Sequence, residues 1–252
     1  MSMSIAQATK PGEFAASDSP VKAADAHREQ RIAQRAAALF HERRQHGLQR
    51  LDRAFAFLMA GQWVFAILVA VFLSPYGWAG KVKAVHFHVY LALFMGAALT
   101  VFPGALALLN PGRALTRHVI AANQMLWSAL LIHLTGGRIE THFHVFGSLA
   151  FLSLYLDWKV LLTATVVVAS DHLLRQIAWP ESVYGVLNPE WWRFLEHAFW
   201  VVFENVVLAL ACVIGIKDMM RAARQQAQVE VLTESDELKT LALEMALAEA
   251  KR

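Results

Sequence analysis

Six apolar runs, at 54–74, 86–109, 116–135, 140–156, 159–177 and 192–216, fill the middle of this 252-residue chain. Each is near the twenty or so residues that an α-helix, rising about 1.5 Å per residue, needs to cross bilayer hydrocarbon. An unpaired peptide group is costly in hydrocarbon, so each run must satisfy its backbone within itself, as a helix does. The expected fold is all-α: an integral membrane six-helix bundle, with an N-terminal juxtamembrane helix and a C-terminal cytoplasmic coiled-coil signalling helix. Pro103 predicts a kink in the second span, because its ring removes a helical donor. The fourth run is short and the fifth carries Asp171 and His172, so each is expected to tilt or to face protein along part of its length.

Charged residues make up 17% of the chain, below the roughly 25% of a soluble domain, and they are concentrated outside the spans. The net charge of +3 is too small to argue for nucleic acid as a partner. The one cysteine, Cys212, lies inside an apolar run, so there is no disulfide framework. Residues 1–26 are polar, without periodicity, and are expected to be disordered. Residues 27–52 are rich in helix formers and arginine, with Ile32, Ala36, Leu39 and Phe40 as a modest apolar stripe. They read as an amphipathic juxtamembrane helix, lying on the cytoplasmic membrane face or solvated beside it. The sensor core then spans 53–216 and the linker helix 217–252.

Orientation follows from basic residues near the span ends. Arg28, Arg31, Arg35, Arg43, Arg44, Arg50 and Arg53 precede the first span, Arg113 and Arg117 flank the second turn, Lys159 the fourth, and Lys217, Arg221 and Arg224 follow the sixth span. The opposite side carries Lys81, Lys83, Arg138 and Arg193. Both termini are expected to be cytoplasmic, in a multi-pass protein of a bacterial inner membrane. Past Ile216, Val231, Leu238 and Met245 recur every seventh residue, with Ala227, Leu241 and Ala248 at most of the alternate positions and Glu234 as the exception. This is a short coiled-coil pattern, which Thr233–Glu237 could interrupt and restart through a cap at Thr233 or Ser235. A lone helix with so narrow a seam has nothing to bury against, so a homodimer is expected. The helix reaches Lys251–Arg252 without a stop signal, which suggests an output domain or partner kinase beyond it.

Counting residues from the turns places the polar groups of different spans at equal depth. His133 is level with Glu140 across Gly136–Gly137, and His144 is level with His172 across Asp157–Trp158. One outer layer near the periplasmic face thus holds His86, His88, His133, Glu140, His142, His144, Asp171, His172, Glu196 and His197, with His118 at the opposite end. Imidazole with carboxylate is a donor set for zinc, iron or copper(II). The candidate ligands are His86, His88, His133, Glu140, His142, His144, His172 and His197. Glu140 and His144 share a face four residues apart while His142 points elsewhere. One ion cannot take every group, so two ions, or one ion backed by orienting carboxylates, are expected. Asp171 and Glu196 suit the orienting role. Replacing His142 or His144 is expected to abolish metal retention. A haem held by two histidines would leave several of the others without a role; uncoordinated histidines would instead form an acid sensor.

Glu204 lies seven residues beyond His197 and about two turns deeper. It reads as a coupling element, with Asn123 and Asn205 near its depth, or as a neutral acid bonded to a neighbouring helix. Trp78, Trp158, Trp179, Trp191 and Trp192 stand at span ends as interface anchors, whereas Trp63, Trp127 and Trp200 read as interior packing. "TGGR" at 135–138 is a tight turn.

The segments "GGRIETHFHVFGSLAFLSLYLDWKVLL", "SDHLLR", "WPESVYGVL" and "WWRFLEHAFWVVFENV" resemble the multi-span sensor module at the N-terminus of many bacterial signalling proteins. That module carries an IExHFH-type motif ahead of an aliphatic span ending in a Tyr-x-Asp-Trp turn. The ending "LALEMALAEAKR" is similar to the helix that leads into a histidine kinase dimerisation domain. The resemblance implies sensory roles for Glu140, His142, His144, Asp171, His172, Glu196, His197 and Glu204. The chain has neither a phospho-accepting histidine motif nor ATP-binding glycine boxes, so it is not itself a kinase. The expected function is a metal-binding or metal-cofactor-binding input module. The rival is a membrane metal-dependent oxidoreductase acting on a lipid, quinone or oxygen. A transporter is disfavoured because no inverted repeat is visible.

Overall fold

The computed structural model describes residues 20–79 and 82–252; the rest of the expected disordered tail, 1–19, and Lys81 lie outside the described residues. The same holds for the Trp78 side chain. The helices are α1 (Pro20–Leu73), α2 (Phe87–Leu109), α3 (Ala114–Leu134), α4 (Ile139–Ser153), α5 (Trp158–Ala178), the short α6 (Glu181–Tyr184) and α7 (Arg193–Ala250). The six apolar runs fall on α1 to α5 and α7, and α2 to α5 match their expected bounds within a few residues. Three features differ. Residues 20–26 are helical, and α1 runs unbroken from them through the juxtamembrane segment into the apolar run. Likewise α7 continues through Thr233–Glu237, where a restart was conceivable. One antiparallel hairpin, β1 (Tyr76–Ala79) with β2 (Val82–Val85), interrupts the all-helical pattern between α1 and α2, with Tyr76 opposite Val85.

Four helices, α1, α2, α5 and α7, are long and apolar enough to cross a membrane. The other two expected spans depart from that standard for physical reasons. α4 is only 15 residues long. α3 is too polar, and it stands at the centre of the bundle, where α2, α4, α5 and α6 pack on it. Its Ile120, Ala121, Gln124, Trp127, Ser128 and Ile132 are fully buried. Its polar side chains are therefore solvated by protein.

The chain forms two compact units. The larger, Leu39–Ala222, holds the bundle. The smaller combines the start of α1, up to Ala38, with α7 from Ala223 onward. Within the smaller unit Ile32, Ala223, Ala227 and Val231 are buried. Arg31 pairs with Glu234, Arg35 with Glu230 at 2.6 Å, and Arg224 with Glu29 at 3.1 Å.

In the bundle, the "YLDW" turn joins α4 to α5 and ties four elements together. Tyr155 donates its hydroxyl to Asp52 of α1 at 2.7 Å, and the Gly112 N–H donates to the same fully buried carboxylate at 2.5 Å. Phe55 stacks on the Tyr155 ring with centroids 5.5 Å apart. Leu156 adopts a left-handed φ of 51°, a conformation that costs a branched residue about 1–3 kcal/mol. Its side chain occupies the space opposite Gly215 of α7, where an added Cβ would lie 2.7 Å from Leu156 Cδ2. Asp157 accepts from the Lys159 N–H at the start of α5 and pairs with Arg117 of α3 at 3.0 Å.

Pro103 sits within α2 and has no N–H for the Leu99 carbonyl one turn earlier. Asn123 of α3 supplies the missing donor: its Nδ2 lies 2.9 Å from Leu99 O. The same amide reaches Met59 Sδ at 2.9 Å. Asn123 therefore serves the proline bulge of α2; the expected proximity to Glu204 is not what engages it. Replacing Asn123 with Ala should cost about 1–3 kcal/mol, the penalty of orphaning a buried carbonyl. The loss should shrink in a Pro103→Ala background, which returns a helical donor to Leu99. Equilibrium unfolding of the four-member cycle in mild detergent tests this, and additive losses would contradict it.

Candidate functional site: two imidazole clusters beside the α5–α6 turn

The seven histidines expected in one layer separate into three environments. Three of them come together from α4, α5 and α7. The ring centroids of His142 and His197 are 5.3 Å apart, those of His142 and His172 5.6 Å, and those of His172 and His197 6.1 Å. His142 and His172 are buried and His197 is half-buried.

Each of these rings is anchored in the same way. His142 Nδ1 lies 2.9 Å from the Arg138 carbonyl, His172 Nδ1 3.1 Å from the Val168 carbonyl and His197 Nδ1 2.9 Å from the Arg193 carbonyl. In all three the acceptor is four residues back on the same helix. A carbonyl only accepts, so Nδ1 is the donor in each, and in the neutral ring Nε2 then keeps its lone pair. His142 Nε2 is buried with no hydrogen-bond partner. His172 is steadied further by Asp171, whose Oδ2 is 3.3 Å from its Nδ1, while Arg175 holds the same carboxylate at 2.6 Å. Asp171 thus lies against the His172 ring. Glu196 does not bond the His197 ring; it is exposed and lines a cavity instead.

That cavity, about 620 Å³, opens beside His142 and His197 and is lined also by Tyr184, Arg193, Glu196 and Trp200. A smaller, apolar one of about 80 Å³ touches all three rings and is walled by Val145, Val168 and Val201. Tyr184 was not singled out in the sequence. Its ring packs on His197 at 5.4 Å and its hydroxyl donates to Gln176 at 2.8 Å. Burial pushes its phenol above the usual tyrosine range, and the nearby Arg193 and Arg175 work against that rise. The signal available for it was its place in "WPESVYGVL".

His86, His88 and His133 form the second cluster, in series. Their centroid spacings are 4.3 Å and 4.9 Å, and Trp179 continues the row 4.8 Å from His133. His86 has a structural task here: its Nδ1 accepts from the His88 N–H and caps α2. His88 Nδ1 lies 3.3 Å from the Ser74 hydroxyl.

His144 belongs to neither cluster. Gln62 of α1 donates to its Nε2 at 3.0 Å, and its Nδ1 lies 2.8 Å from the Ser128 hydroxyl. Gln62 and Gln124 bond each other in both directions, at 2.8 and 3.2 Å. Both nitrogens of His144 are therefore engaged within the bundle, which corrects the pairing of His142 with His144 as joint ligands. Glu140 is exposed in the first turn of α4, where a negative charge complements the helix dipole. Glu204 keeps a buried Oε2 without a partner, and Asn205 beside it donates to the Val201 carbonyl at 2.8 Å. His118, at the opposite end, bonds Thr163 at 2.8 Å. Trp127 is fully buried and Trp63 donates to the Leu93 carbonyl, but Trp200, expected inside, is 52% exposed on the cavity rim.

Two glycines hold the wall of the site. Gly136 and Gly137 have φ of 69° and 75°, and the Gly137 N–H closes α3 by donating to Ile132 O at 2.9 Å. A Cβ on Gly137 would lie 2.3 Å from the Gly185 nitrogen, so the α3–α4 turn meets the turn after α6 backbone to backbone. This contact places Tyr184 beside His197.

Among the described residues, no group of three or more His, Cys, Asp or Glu side chains closes to metal-coordination geometry. The chain is 30% identical over 86 residues to Transducer protein Htr8 of Halobacterium salinarum. The match covers 32% of this chain and 13% of that protein, so the relative is far longer than the shared segment. No family model matches the chain. No solved structure matches it.

Gly137→Ala should destabilise the bundle by about 1–3 kcal/mol through left-handed strain, apart from the clash. It should also expose the 178–192 segment to protease. Thermal melting and limited proteolysis read the two effects; unchanged protection of that segment would refute the packing role of Gly137.

Proposed function

We propose that this chain is a membrane sensory input module whose signal is the state of a transition-metal ion bound by His142, His172 and His197. The carrying observation is the triangle of three imidazoles, each with Nδ1 committed to its own helix and Nε2 left as an available lone pair. A metal bound through Nε2 at about 2.0–2.1 Å stands roughly 3.2 Å from each ring centre. The circle through three centroids at the observed spacings has a radius of about 3.3 Å. The donor set fits zinc, copper or iron, and a bound ion would supply a Lewis-acid or redox centre there. The chain's own residues hold the ligand tautomers, steady His172 through Asp171–Arg175, and bound the site with Tyr184.

A haem between His172 and His197 is less well supported, because His142 sits 5.3–5.6 Å from both rings and would have to leave. A second ion at His86, His88 and His133 is also less well supported, since the cap of α2 uses His86 Nδ1. Four long apolar helices and the partial likeness to a transducer support a membrane signalling role. In this reading the bundle is multi-pass in a bacterial inner membrane, with both termini cytoplasmic. α7 carries His197 in its second turn and runs as one helix to Ala250, so a change in ligation reaches the cytoplasmic segment through it. Leu238, Leu241 and Met245 are exposed on that segment. They form the face on which a second copy pairs and through which a histidine kinase-type output is driven.

Metal analysis of the chain purified in detergent and loaded with zinc, copper or iron tests the site. His142→Ala and His197→Ala should each lower the bound metal, whereas His144→Ala should keep it, because His144 serves the glutamine network. Full metal content in the His142→Ala/His197→Ala double variant would overturn the assignment.

A further inference from the structure

We infer that residues 20–38 of α1 act as an arm competing with a second copy of the chain for one seam of α7. The inference rests on the homodimer reading above. The heptad seam runs through Ala227, Val231, Glu234, Leu238, Leu241 and Met245. The structure divides it. Ala227 and Val231 are buried in the unit that contains the arm's Ile32, itself 4% exposed. Beyond Glu234 the seam is open: Leu238 is 58% exposed, Leu241 54% and Met245 66%.

Charge marks the same boundary. Arg31 and Arg35 of the arm pair with Glu234 and Glu230, and Glu29 pairs with Arg224. Arg31, Gln34 and Arg35 share a groove with Glu230, Val231 and Glu234. In a parallel coiled coil, each seam residue inserts among seam residues of the other copy. Ile32 and a second α7 cannot both occupy the space against Ala227 and Val231. Glu234 opposes such pairing, because two copies of its carboxylate would meet across the seam. Arg31 neutralises it only while the arm is docked. The arm-docked chain therefore pairs from Leu238 onward, and release of the arm extends the coil back toward Ala223. The ion pairs are solvent-exposed and screened by salt, so the arm is a reversible clasp. It gives α7 two arrangements for a signal to choose between.

Disulfide cross-linking of the full chain in membranes, in a Cys212→Ala background, tests the clasp. Met245→Cys should cross-link quickly and Val231→Cys slowly. Reversing the arm with Arg31→Glu and Arg35→Glu should raise the Val231→Cys rate several-fold and leave Met245→Cys unchanged. Adding Glu230→Arg and Glu234→Arg should restore the slow rate. Cross-linking at Val231 as fast as at Met245 with the arm unaltered, or a Val231 rate indifferent to arm charge, overturns the competition and leaves the dimer standing. Absence of cross-linking at both positions in every background overturns the dimer, and the clasp with it.

Discussion

A helix carrying Asn123, Gln124 and Ser128 can stand at the centre of an apolar bundle only if its neighbours hydrogen-bond what it brings. α3 is that helix, and the bundle is organised around its satisfaction. Gln124 is met by Gln62 from α1, Ser128 by His144 from α4, and Asn123 by the carbonyl that Pro103 leaves open in α2. A buried polar group without a partner costs as much as a large core truncation, so these bonds fix which neighbour lies at which height. The order of helices around α3 follows from these pairings more than from apolar contact, which has no direction.

The same logic separates the histidines from one another. An imidazole has two nitrogens, and its chemistry depends on which of them the fold consumes. His142, His172 and His197 each give Nδ1 to their own helix, at positions where a side chain naturally folds back over the preceding turn. His142 Nε2 is left buried without a hydrogen-bond partner. His144 spends both nitrogens on Gln62 and Ser128, and His86 spends one on the cap of α2. What distinguishes them is the use each makes of its second nitrogen.

At the opposite end of the bundle, Tyr155, Leu156 and Asp157 turn a short motif into a joint between α1, α3, α5 and α7. The buried Asp52 carboxylate receives its donors from that motif and from the turn after α2, and Leu156 accepts backbone strain to fill the gap beside Gly215.

The ends of α2 to α5 were legible in the residues because hydrocarbon length and helix rise are fixed numbers and apolar runs announce both, whereas α1 and α7 run on well past their apolar runs. Counting from the tight turns predicted a shared height for the histidines; the structure divides them between two ring clusters and the Gln62–Ser128 network. Angle around each helix was harder to read. Glu140, on the face of His144, turned out exposed, and Tyr184, in a four-residue helix without periodicity, gave no signal of its contact with His197. Which imidazoles meet, which glutamine answers which histidine, and which half of the α7 seam the arm covers are relations between residues as many as 203 positions apart. Spacing along a chain carries local geometry, whereas partners across helices are settled by packing and by the cost of leaving buried polar atoms unpaired, and those conditions exist only once the helices are assembled.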